Sequence, residues 1–351
     1  MVFGRKTSRN GGAVAEARPE VKDARKLADQ GNLDAAIELL TEANRAGRTL
    51  EVEREIRRLR HLAGLRLLAD AGGNPSYAEP GGELPEPGPQ SRIPELTPDQ
   101  LTPGLLRASI LEYGCLLVRG LIERDAAEQM ASGIDRAFDV RDRLAPGESD
   151  PDGYYDEMEP EPPHAIEGRP WDQEGGGVLA VDSPRLFFEM VEGFRAAGLE
   201  TLIQEYLGED PAISAEKCTL RKAMPEVGGA WHQDGRFLGD VRSLNVWLSL
   251  SRCGDVAPSM DVVPRRLDDY APAGTEGTVL NYQVAQAVAE RMAGEAGIVR
   301  PIFDPGDALL FDHLFLHQTG SDPSMPNPRY AVESWFFGPS GYPTEYVPIA
   351  F

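Results

Sequence analysis

Apolar positions divide the chain into a helical N-terminal part and a C-terminal part rich in short strands. From Val21 to Asp70 apolar residues recur every three or four positions, which predicts a helical hairpin followed by a third helix. Beyond residue 216, short apolar runs alternate with turn sequences such as Asp304–Asp307. Strands are predicted at 217–223, 243–250, 260–263, 277–280, 298–303, 308–316 and 330–337. This pattern predicts a mainly β protein with flanking helices, built on a double-stranded β-helix (jelly roll) and carrying an N-terminal α-helical hairpin appendage.

The same pattern divides the chain into four segments. Residues 1–20 are predicted to be disordered, and residues 21–70 form the helical appendage, which resembles a single tetratricopeptide unit. A solenoid needs about three such repeats, and only one is found. Residues 71–97 carry six prolines among glycines and acids and are predicted to be a linker. Residues 98–351 form the main domain.

Residues 144–177 form an insert of a different kind within that domain. Between Glu148 and Glu174 there are ten acidic residues and one arginine, with Tyr154, Tyr155 and Trp171. A stretch of this length without regular structure is either disordered or a functional lid. The aromatic residues favour an acidic lid, because disordered acidic tracts are usually poor in aromatics. Trp171 is a candidate substrate contact.

Charge and cysteine usage restrict the partners and the compartment. The formal net charge is −22, which argues against nucleic acids and anionic membranes as partners and favours a small-molecule substrate. Residues 1–75 carry 14 basic and 11 acidic residues, and the remainder carries 21 and 46. The opposite signs would favour docking of the helices on the body or on another copy; the alternative is an exposed helical pair with ordinary surface charge. Three scattered cysteines and no long apolar run predict a cytoplasmic protein without membrane contact.

The candidate chemistry centres on His232-Gln233-Asp234. A histidine and a carboxylate two residues apart can bind one metal ion, but this motif alone is weak. His317 downstream completes the two-histidine, one-carboxylate set of non-haem Fe(II) oxygenases, which leaves coordination positions open. Arg329 follows at the start of the next predicted strand, and its planar fork suits the carboxylate of a dicarboxylate co-substrate.

Several motifs in order extend this interpretation from about Leu101 to Ser340. They are Leu220-Arg221-Lys222 before Trp231-His232-Gln233-Asp234, Leu244-Asn245-Val246-Trp247-Leu248-Ser249-Leu250, Asp261-Val262-Val263-Pro264, and Pro305-Gly306-Asp307 leading to His317 and Arg329. With these motifs the chain resembles the phytanoyl-CoA dioxygenase family of Fe(II)- and 2-oxoglutarate-dependent oxygenases.

The resemblance implies a ligand set and an activity. It implies that His232, Asp234 and His317 hold Fe(II), that Arg329 pairs with the distal carboxylate of 2-oxoglutarate, and that Lys222 is a further co-substrate contact. O2 is the oxidant, and the reaction is hydroxylation. Asn245 and Trp247 share one face of a predicted strand, where Asn245 could contact 2-oxoglutarate and Trp247 is either core or part of the cofactor site.

The substrate and two rival functions stay open at this stage. Related halogenases carry a small residue where this chain has Asp234, so the aspartate favours hydroxylation. A non-catalytic metal- and 2-oxoglutarate-binding sensor or scaffold is the other alternative. Arg265 and Arg266 replace residues common in the family and either bind a substrate anion or pair with Asp268 and Asp269. The acidic body argues against a CoA ester and for a small neutral or cationic substrate.

Overall fold

The computed structural model describes residues 17–351, so residues 1–16 of the stretch predicted to be disordered lie outside the described residues. The helices are α1 (Pro19–Asp29), α2 (Leu33–Ala46), α3 (Leu50–Asp70), α4 (Pro103–Tyr113), α5 (Arg124–Arg141), α6 (Arg169–Glu174), α7 (Pro184–Ala196), α8 (Leu199–Leu207), α9 (Gly235–Leu238) and α10 (Gln286–Ala293). The strands are β1 (Glu95–Leu96), β2 (Cys115–Val118), β3 (Gly177–Leu179), β4 (Ala212–Ala223), β5 (Ser243–Ser249), β6 (Ser259–Val262), β7 (Ala308–Phe311), β8 (His317–Gly320), β9 (Arg329–Phe337) and β10 (Pro348–Ala350).

The strands form one large and one small sheet. The large sheet has eight strands in the order β1-β2-β7-β5-β9-β4-β10, with β3 paired to β4. Its pairs are antiparallel except for β1 with β2, and β6 and β8 form the small antiparallel sheet. The prediction of a strand-rich core flanked by helices agrees with this arrangement. The jelly-roll topology stays a prediction.

Alternation along β9 gives the large sheet two different faces. Val332 and Phe336 pack into a core that also contains apolar side chains of α5, α7 and α8. Arg329, Glu333 and Trp335 point to the opposite side, where they line a cavity. Successive strand residues face opposite ways, so one strand contributes both to the helix-covered core and to the candidate site.

Several predicted strands differ from the observed ones. Residues 277–280 are turn and bend, and 298–303 contain only isolated bridges, at Val299 and Phe303. The predicted strand 308–316 ends at Phe311, because the Asp312 side chain accepts a hydrogen bond from the Leu314 N–H at 3.0 Å and forms a turn. His313 therefore lies in a turn, and His317 begins a strand of the other sheet.

Helix α3 packs closely on the main domain. The Arg57 guanidinium is buried and donates to the carbonyls of Asp156 and Val181 at 2.7 and 2.5 Å. The His61 Nδ1 lies 2.9 Å from the Pro348 carbonyl oxygen of β10. The ion pair between Arg45 of α2 and Glu192 of α7, at 2.6 Å, adds a second contact. The N-terminal helices thus dock on the body of the same chain through individual hydrogen bonds and ion pairs.

The acidic insert at 144–177 is not a lid over its whole length, which corrects that expectation. Tyr155, Asp156 and Met158 are buried, and Asp156 pairs with arginines of α3. The end of the insert is regular, as α6 and the start of β3. Only residues near its end, from Trp171 to Gly176, border the cavity. Asp156 is held by the buried Arg57, and the segment around it is part of the packed structure.

Two sequence expectations concern cysteines and membranes. Cys115, Cys218 and Cys253 are free and buried. None of the helices between residues 17 and 351 is long and apolar enough to cross a membrane.

Gly64 tests the contact between α3 and the body. A Cβ atom at Gly64 would lie 2.7 Å from the Pro348 carbonyl oxygen, which is closer than real contacts allow. Gly64→Ala is expected to lower the free energy of unfolding by about 1–3 kcal/mol, as overpacking does, although alanine favours helices. Urea unfolding measures this change.

Gly193 in α7 is the matched control. A Cβ at Gly193 meets nothing within 4 Å, so Gly193→Ala should raise the free energy of unfolding by up to about 1 kcal/mol. If Gly64→Ala stabilises the protein as Gly193→Ala does, α3 does not approach β10 as closely as described.

Candidate metal centre

The three predicted metal ligands meet in one place. His232 and His317 exchange two backbone hydrogen bonds, with the His232 N–H donating at 2.9 Å and the His317 N–H at 3.1 Å. Asp234 lies two residues after His232, next to the start of α9. One potential ligand atom from each residue lies within 4.8 Å of the others. Within residues 17–351 this is the group of three histidine, cysteine or acidic side chains that could hold a metal ion.

Gln233 holds the loop between the two upstream ligands. Its side chain is fully buried, where its amide donates to the Leu314 carbonyl at 2.6 Å and its oxygen accepts from the Ala271 N–H at 2.7 Å. Gln233 thus anchors the loop on one side while His232 and Asp234 line the cavity on the other. One residue thus separates His232 from Asp234 in the sequence, and that residue, Gln233, points away from the cavity and fixes the loop.

Backbone carbonyls orient both imidazoles. The Nδ1 of His232 lies 2.8 Å from the Ala230 carbonyl oxygen, and the Nδ1 of His317 lies 3.1 Å from that of Phe315. A carbonyl oxygen only accepts, so each Nδ1 carries the proton and each Nε2 presents a lone pair. The two Nε2 atoms lie 3.9 and 3.7 Å from the carboxylate oxygens of Asp234. Such outer hydrogen bonds are typical of metal-binding histidines.

Burial keeps His317 in the form that binds metal. Burial and, to a smaller extent, the neighbouring His232 lower the pKa of His317 to about 4, against the opposing charge of Asp234. The rings of Phe311 and Phe315 lie 5.0 and 5.8 Å from the His317 ring. A neutral imidazole is the ligand form, so His317 is ready for metal well below neutral pH.

Arg329 lies in the same cavity, which has a volume of about 410 Å³. Its guanidinium is buried, one nitrogen lies 3.3 Å from the Ser259 carbonyl oxygen, and another lies 3.7 Å from the Glu333 carboxylate. The Arg329 Nε and the Asn245 Oδ1 are buried without a hydrogen-bond partner among the described residues. The Arg329 guanidinium lies 5.3 Å from the ring centre of Trp247. Unpaired buried polar atoms facing a cavity indicate a polar ligand.

Lys222 does not direct its ammonium into the site, which corrects its expected position. Lys222 borders the cavity, but its ammonium pairs with Asp135 of α5, as does the hydroxyl of Tyr330 opposite it. The neighbouring Arg221 has the opposite orientation, with its guanidinium 2.9 Å from the Glu333 carboxylate. Successive residues of a strand face opposite sides of the sheet, which explains why Arg221 faces the cavity in place of Lys222.

Arg265 and Arg266 also lie elsewhere, because their segment turns away from the cavity. Neither residue lines it. The Arg266 N–H donates to the Glu112 carbonyl of α4, and its guanidinium pairs with Asp312 and Asp268. Of the two alternatives for Arg266, binding a substrate anion or pairing with a nearby aspartate, the structure has the pair with Asp268. Trp171, in contrast, borders the cavity mouth with 61% of its surface exposed.

Several cavity residues were not predicted, namely Lys217, Thr219, Arg221, Asp172, Phe237, Tyr282 and Glu333. Lys217, Thr219 and Arg221 alternate along one predicted strand, which was the available signal. Burial lowers the pKa of Lys217, while Asp234 and Asp172 oppose this shift. Asp172 and Glu333 come from distant segments, so only the tertiary structure brings them to Arg221.

Comparison with known proteins gives structural similarity only. No protein-family model matches the chain, and no curated protein matches it by sequence. The resemblance to the phytanoyl-CoA dioxygenase family therefore stays a prediction. EctD from S. alaskensis, solved with 2-oxoglutarate and 5-hydroxyectoine, is 16% identical, and the match covers 78% of this chain and 89% of EctD with a TM-score of 0.49.

Two further solved structures are similar. The epimerase SnoN, in complex with Fe3+, alpha ketoglutarate and nogalamycin RO, is 14% identical, with 66% of this chain and 82% of SnoN covered and a TM-score of 0.42. AviO1 from Streptomyces viridochromogenes Tue57 is 16% identical, with 67% of this chain and 94% of AviO1 covered and a TM-score of 0.42.

The lowered pKa of His317 predicts a pH dependence of stability. Between pH 6.5 and about 4 the unfolded chain takes up a proton at His317 that the folded chain does not, so stability falls as the pH falls. The full effect is about 3 kcal/mol from the size of the shift. In metal-free protein, His317→Gln should lose less unfolding free energy than wild type between pH 7 and 4.5.

Urea unfolding at both pH values, with a chelator present, measures the difference. Far-UV circular dichroism at pH 7 checks that the variant is folded. Equal losses in wild type and His317→Gln would contradict the burial of a neutral imidazole.

Proposed function

We propose that this chain is an Fe(II)- and 2-oxoglutarate-dependent dioxygenase that hydroxylates a small molecule. One observation carries the proposal. Two histidine Nε2 atoms and a carboxylate converge in the cavity that also contains Arg329, whose buried Nε has no partner among the described residues. The cavity thus combines a metal-binding set with a receptor for an anionic co-substrate.

The donor set fits a non-haem iron centre. His232 and His317 would supply two imidazole nitrogens and Asp234 one carboxylate oxygen, all oriented before a metal binds. Three protein ligands leave coordination positions for co-substrate and O2. Asp234 fills the position that the resemblance associates with chloride in halogenases, which supports hydroxylation.

The residues around Arg329 fit 2-oxoglutarate. The guanidinium would bind the distal carboxylate, and the Asn245 side chain lies in the same cavity, where its amide N–H groups would donate to the co-substrate. Trp247 packs beside the guanidinium and supports its orientation. With Fe(II) and 2-oxoglutarate bound, the site supplies oxidative decarboxylation to succinate and CO2, coupled to transfer of one oxygen atom of O2 to a substrate C–H bond.

The aromatic side chains around the triad limit water and hold the ligands. Phe311 and Phe315 flank His317, and Phe237 lies 6.2 Å from the His232 ring. A rigid apolar wall fixes the positions of the reacting groups, which is the part of catalysis that the protein contributes.

The cavity and the charge of the body support a small substrate over a CoA ester. The cavity of about 410 Å³ is the space that 2-oxoglutarate and the reacting part of the substrate would share. Residues 76–351 carry 46 acidic and 21 basic residues, which repel a polyanionic CoA ester at long range. A net neutral or cationic molecule is the substrate class that fits.

Removal of His232 tests the metal centre. His232→Ala deletes one of three ligands, so Fe(II) affinity and succinate formation from 2-oxoglutarate should each fall by at least about tenfold. Anaerobic titration with Fe(II) and a succinate assay measure the two effects. His164→Ala, which changes a histidine that does not line the cavity, should behave as wild type.

The same assays separate the rival functions. If the protein binds metal and 2-oxoglutarate but forms no succinate with any substrate in a broad screen, it is a non-catalytic sensor or scaffold and not an enzyme. If a chlorinated product forms and its formation depends on chloride, the reaction is halogenation and not hydroxylation.

Removal of Arg329 tests the co-substrate site. Arg329→Met removes charge-assisted hydrogen bonds worth roughly 1.5–3 kcal/mol, so the Kd for 2-oxoglutarate should rise about 10- to 100-fold. Calorimetry on Zn(II)-loaded protein measures it, and Zn(II) affinity should stay unchanged. Arg252→Met is the control: Arg252 forms exposed ion pairs with Asp255 and Asp304, so its removal should leave the Kd for 2-oxoglutarate unchanged. An unchanged Kd in Arg329→Met would place 2-oxoglutarate elsewhere.

A further inference from the structure

Lys217 of β4 places a cationic nitrogen in the cavity. Its Nζ lies 4.5, 5.2 and 5.7 Å from the ring centres of Phe237, Tyr346 and Trp171. No hydrogen bond or ion pair to this ammonium is found in the described part of the chain. The three rings hold the ammonium at one point and leave its N–H donors unused.

Such an arrangement is unfavourable without a ligand. Lysine is rarely buried unless it is paired, because a partly desolvated ammonium loses hydration. Cation–π contacts return roughly 0.5–2 kcal/mol each, depending on how far the ammonium is desolvated, and satisfy no N–H donor. The side chain is therefore oriented for an acceptor that the protein itself does not supply.

The carboxylates nearest Lys217 form no ion pair with it, and each has a hydrogen-bond partner of its own, while the second oxygen of Asp172 is buried without one among the described residues. Asp172 accepts a hydrogen bond from the Thr219 hydroxyl at 2.9 Å, and Glu216 accepts one from the Val347 N–H at 2.9 Å. The nearby Arg221 pairs with Glu333. Asp234 also acts on Lys217, but a divalent cation held by the triad would compensate its charge. Within residues 17–351 Lys217 thus has no carboxylate within ion-pair distance, and a divalent cation at the triad would weaken the attraction of Asp234 as well.

Phe237 connects this position to the metal centre. One ring contact joins it to Lys217, and its ring stacks beside that of His232 at 6.2 Å between centres. Trp171, at the cavity mouth, is also near the ammonium, with its ring centre 5.7 Å away. A group bound to Lys217 therefore lies between the mouth and the triad, where a substrate must sit, while Arg329 is left for the co-substrate.

We propose that Lys217 is a substrate-anchoring residue that binds a carboxylate of the substrate. The inference rests on the proposed function and deepens it. Together with the acidic body, it identifies the substrate as a small zwitterion that carries one carboxylate and at least one cationic group, such as an amino-acid-like or betaine-like molecule. The carboxylate fixes the molecule beside Phe237, with its C–H bonds directed toward the triad.

Iodide quenching of tryptophan fluorescence tests the anion site without any turnover. Trp171 is exposed beside Lys217, whereas the other tryptophans, Trp231, Trp247 and Trp335, are buried. In Zn(II)-loaded protein, Lys217→Met should lower the iodide quenching constant at least twofold, and Lys217→Arg should retain it. Quenching by neutral acrylamide should not change.

Lys222→Met is the matched control, because it removes a nearby lysine whose ammonium already pairs with Asp135. It should leave iodide quenching at the wild-type value. Equal iodide quenching in wild type and Lys217→Met would overturn the anion site.

Two further measurements distinguish substrate from co-substrate. Calorimetry with 2-oxoglutarate should give the wild-type Kd in Lys217→Met; a rise as large as that of Arg329→Met would assign Lys217 to the co-substrate and overturn the proposal. Amino acids and betaines are each compared with the corresponding amide, which lacks the carboxylate. In wild type the carboxylate form should stimulate succinate formation at least tenfold more than the amide, and Lys217→Met should abolish this preference. A preference that survives the substitution would also overturn it.

These results separate this inference from the proposed function. Failure of wild type to form succinate would overturn the oxygenase, whereas iodide quenching in Zn(II)-loaded protein needs no turnover and would still report the anion site. A working oxygenase whose Lys217→Met variant keeps its anion response and carboxylate preference would overturn only the role of Lys217.

Discussion

The paired backbone hydrogen bonds between His232 and His317 are the constraint on which the candidate site depends. They join a loop after β4 to the first residue of β8, two segments far apart in the chain. With the two backbones joined, their imidazoles project into the same space, and Asp234 follows from its place two residues later. The Gln233 side chain fixes the orientation of the loop, because it is hydrogen-bonded to the backbone of Leu314 and Ala271 on the side away from the cavity. The site is therefore formed by the backbone before any metal contributes energy.

Around this centre the cavity holds charged groups that an apolar core would exclude. Arg221 offsets its burial by pairing with Glu333, whereas Arg329 keeps an unpaired nitrogen and the Lys217 ammonium contacts aromatic rings without an ion pair among the described residues. Buried polar groups without partners cost free energy, and natural proteins keep them where a ligand completes the bonding. Their separation in the cavity suggests separate tasks. Arg329 suits a co-substrate dicarboxylate, and Lys217 suits a substrate carboxylate nearer the mouth.

The N-terminal helices and the acidic insert support this centre from outside. Arg57 of α3 bonds two carbonyls and the Asp156 carboxylate, so the helix and the insert stabilise each other. The insert then leads into α6 and β3, and β3 pairs with the strand that carries Lys217, Thr219 and Arg221. Through this contact a basic helix far from the triad helps to position the cavity wall. The acidic insert is anchored through the buried Asp156 and the apolar residues beside it, while most of it lies away from the site.

The sequence by itself determined the elements whose signals are local, such as the helical spacing of α2 and α3 and the strand at Ser243–Ser249. It also predicted the three metal ligands, His232 and Asp234 from a short motif that is weak alone, and His317 from the order of motifs further along the chain. Only the tertiary structure decided which of Arg221 and Lys222 faces the cavity, because strand alternation gives two faces and register selects one. It also decided the separation of His313 from His317 by a turn, the position of Arg266 behind the site, and the burial of the acidic insert against α3. These outcomes depend on partners distant in the chain, whose charges and backbone bonds no local pattern specifies.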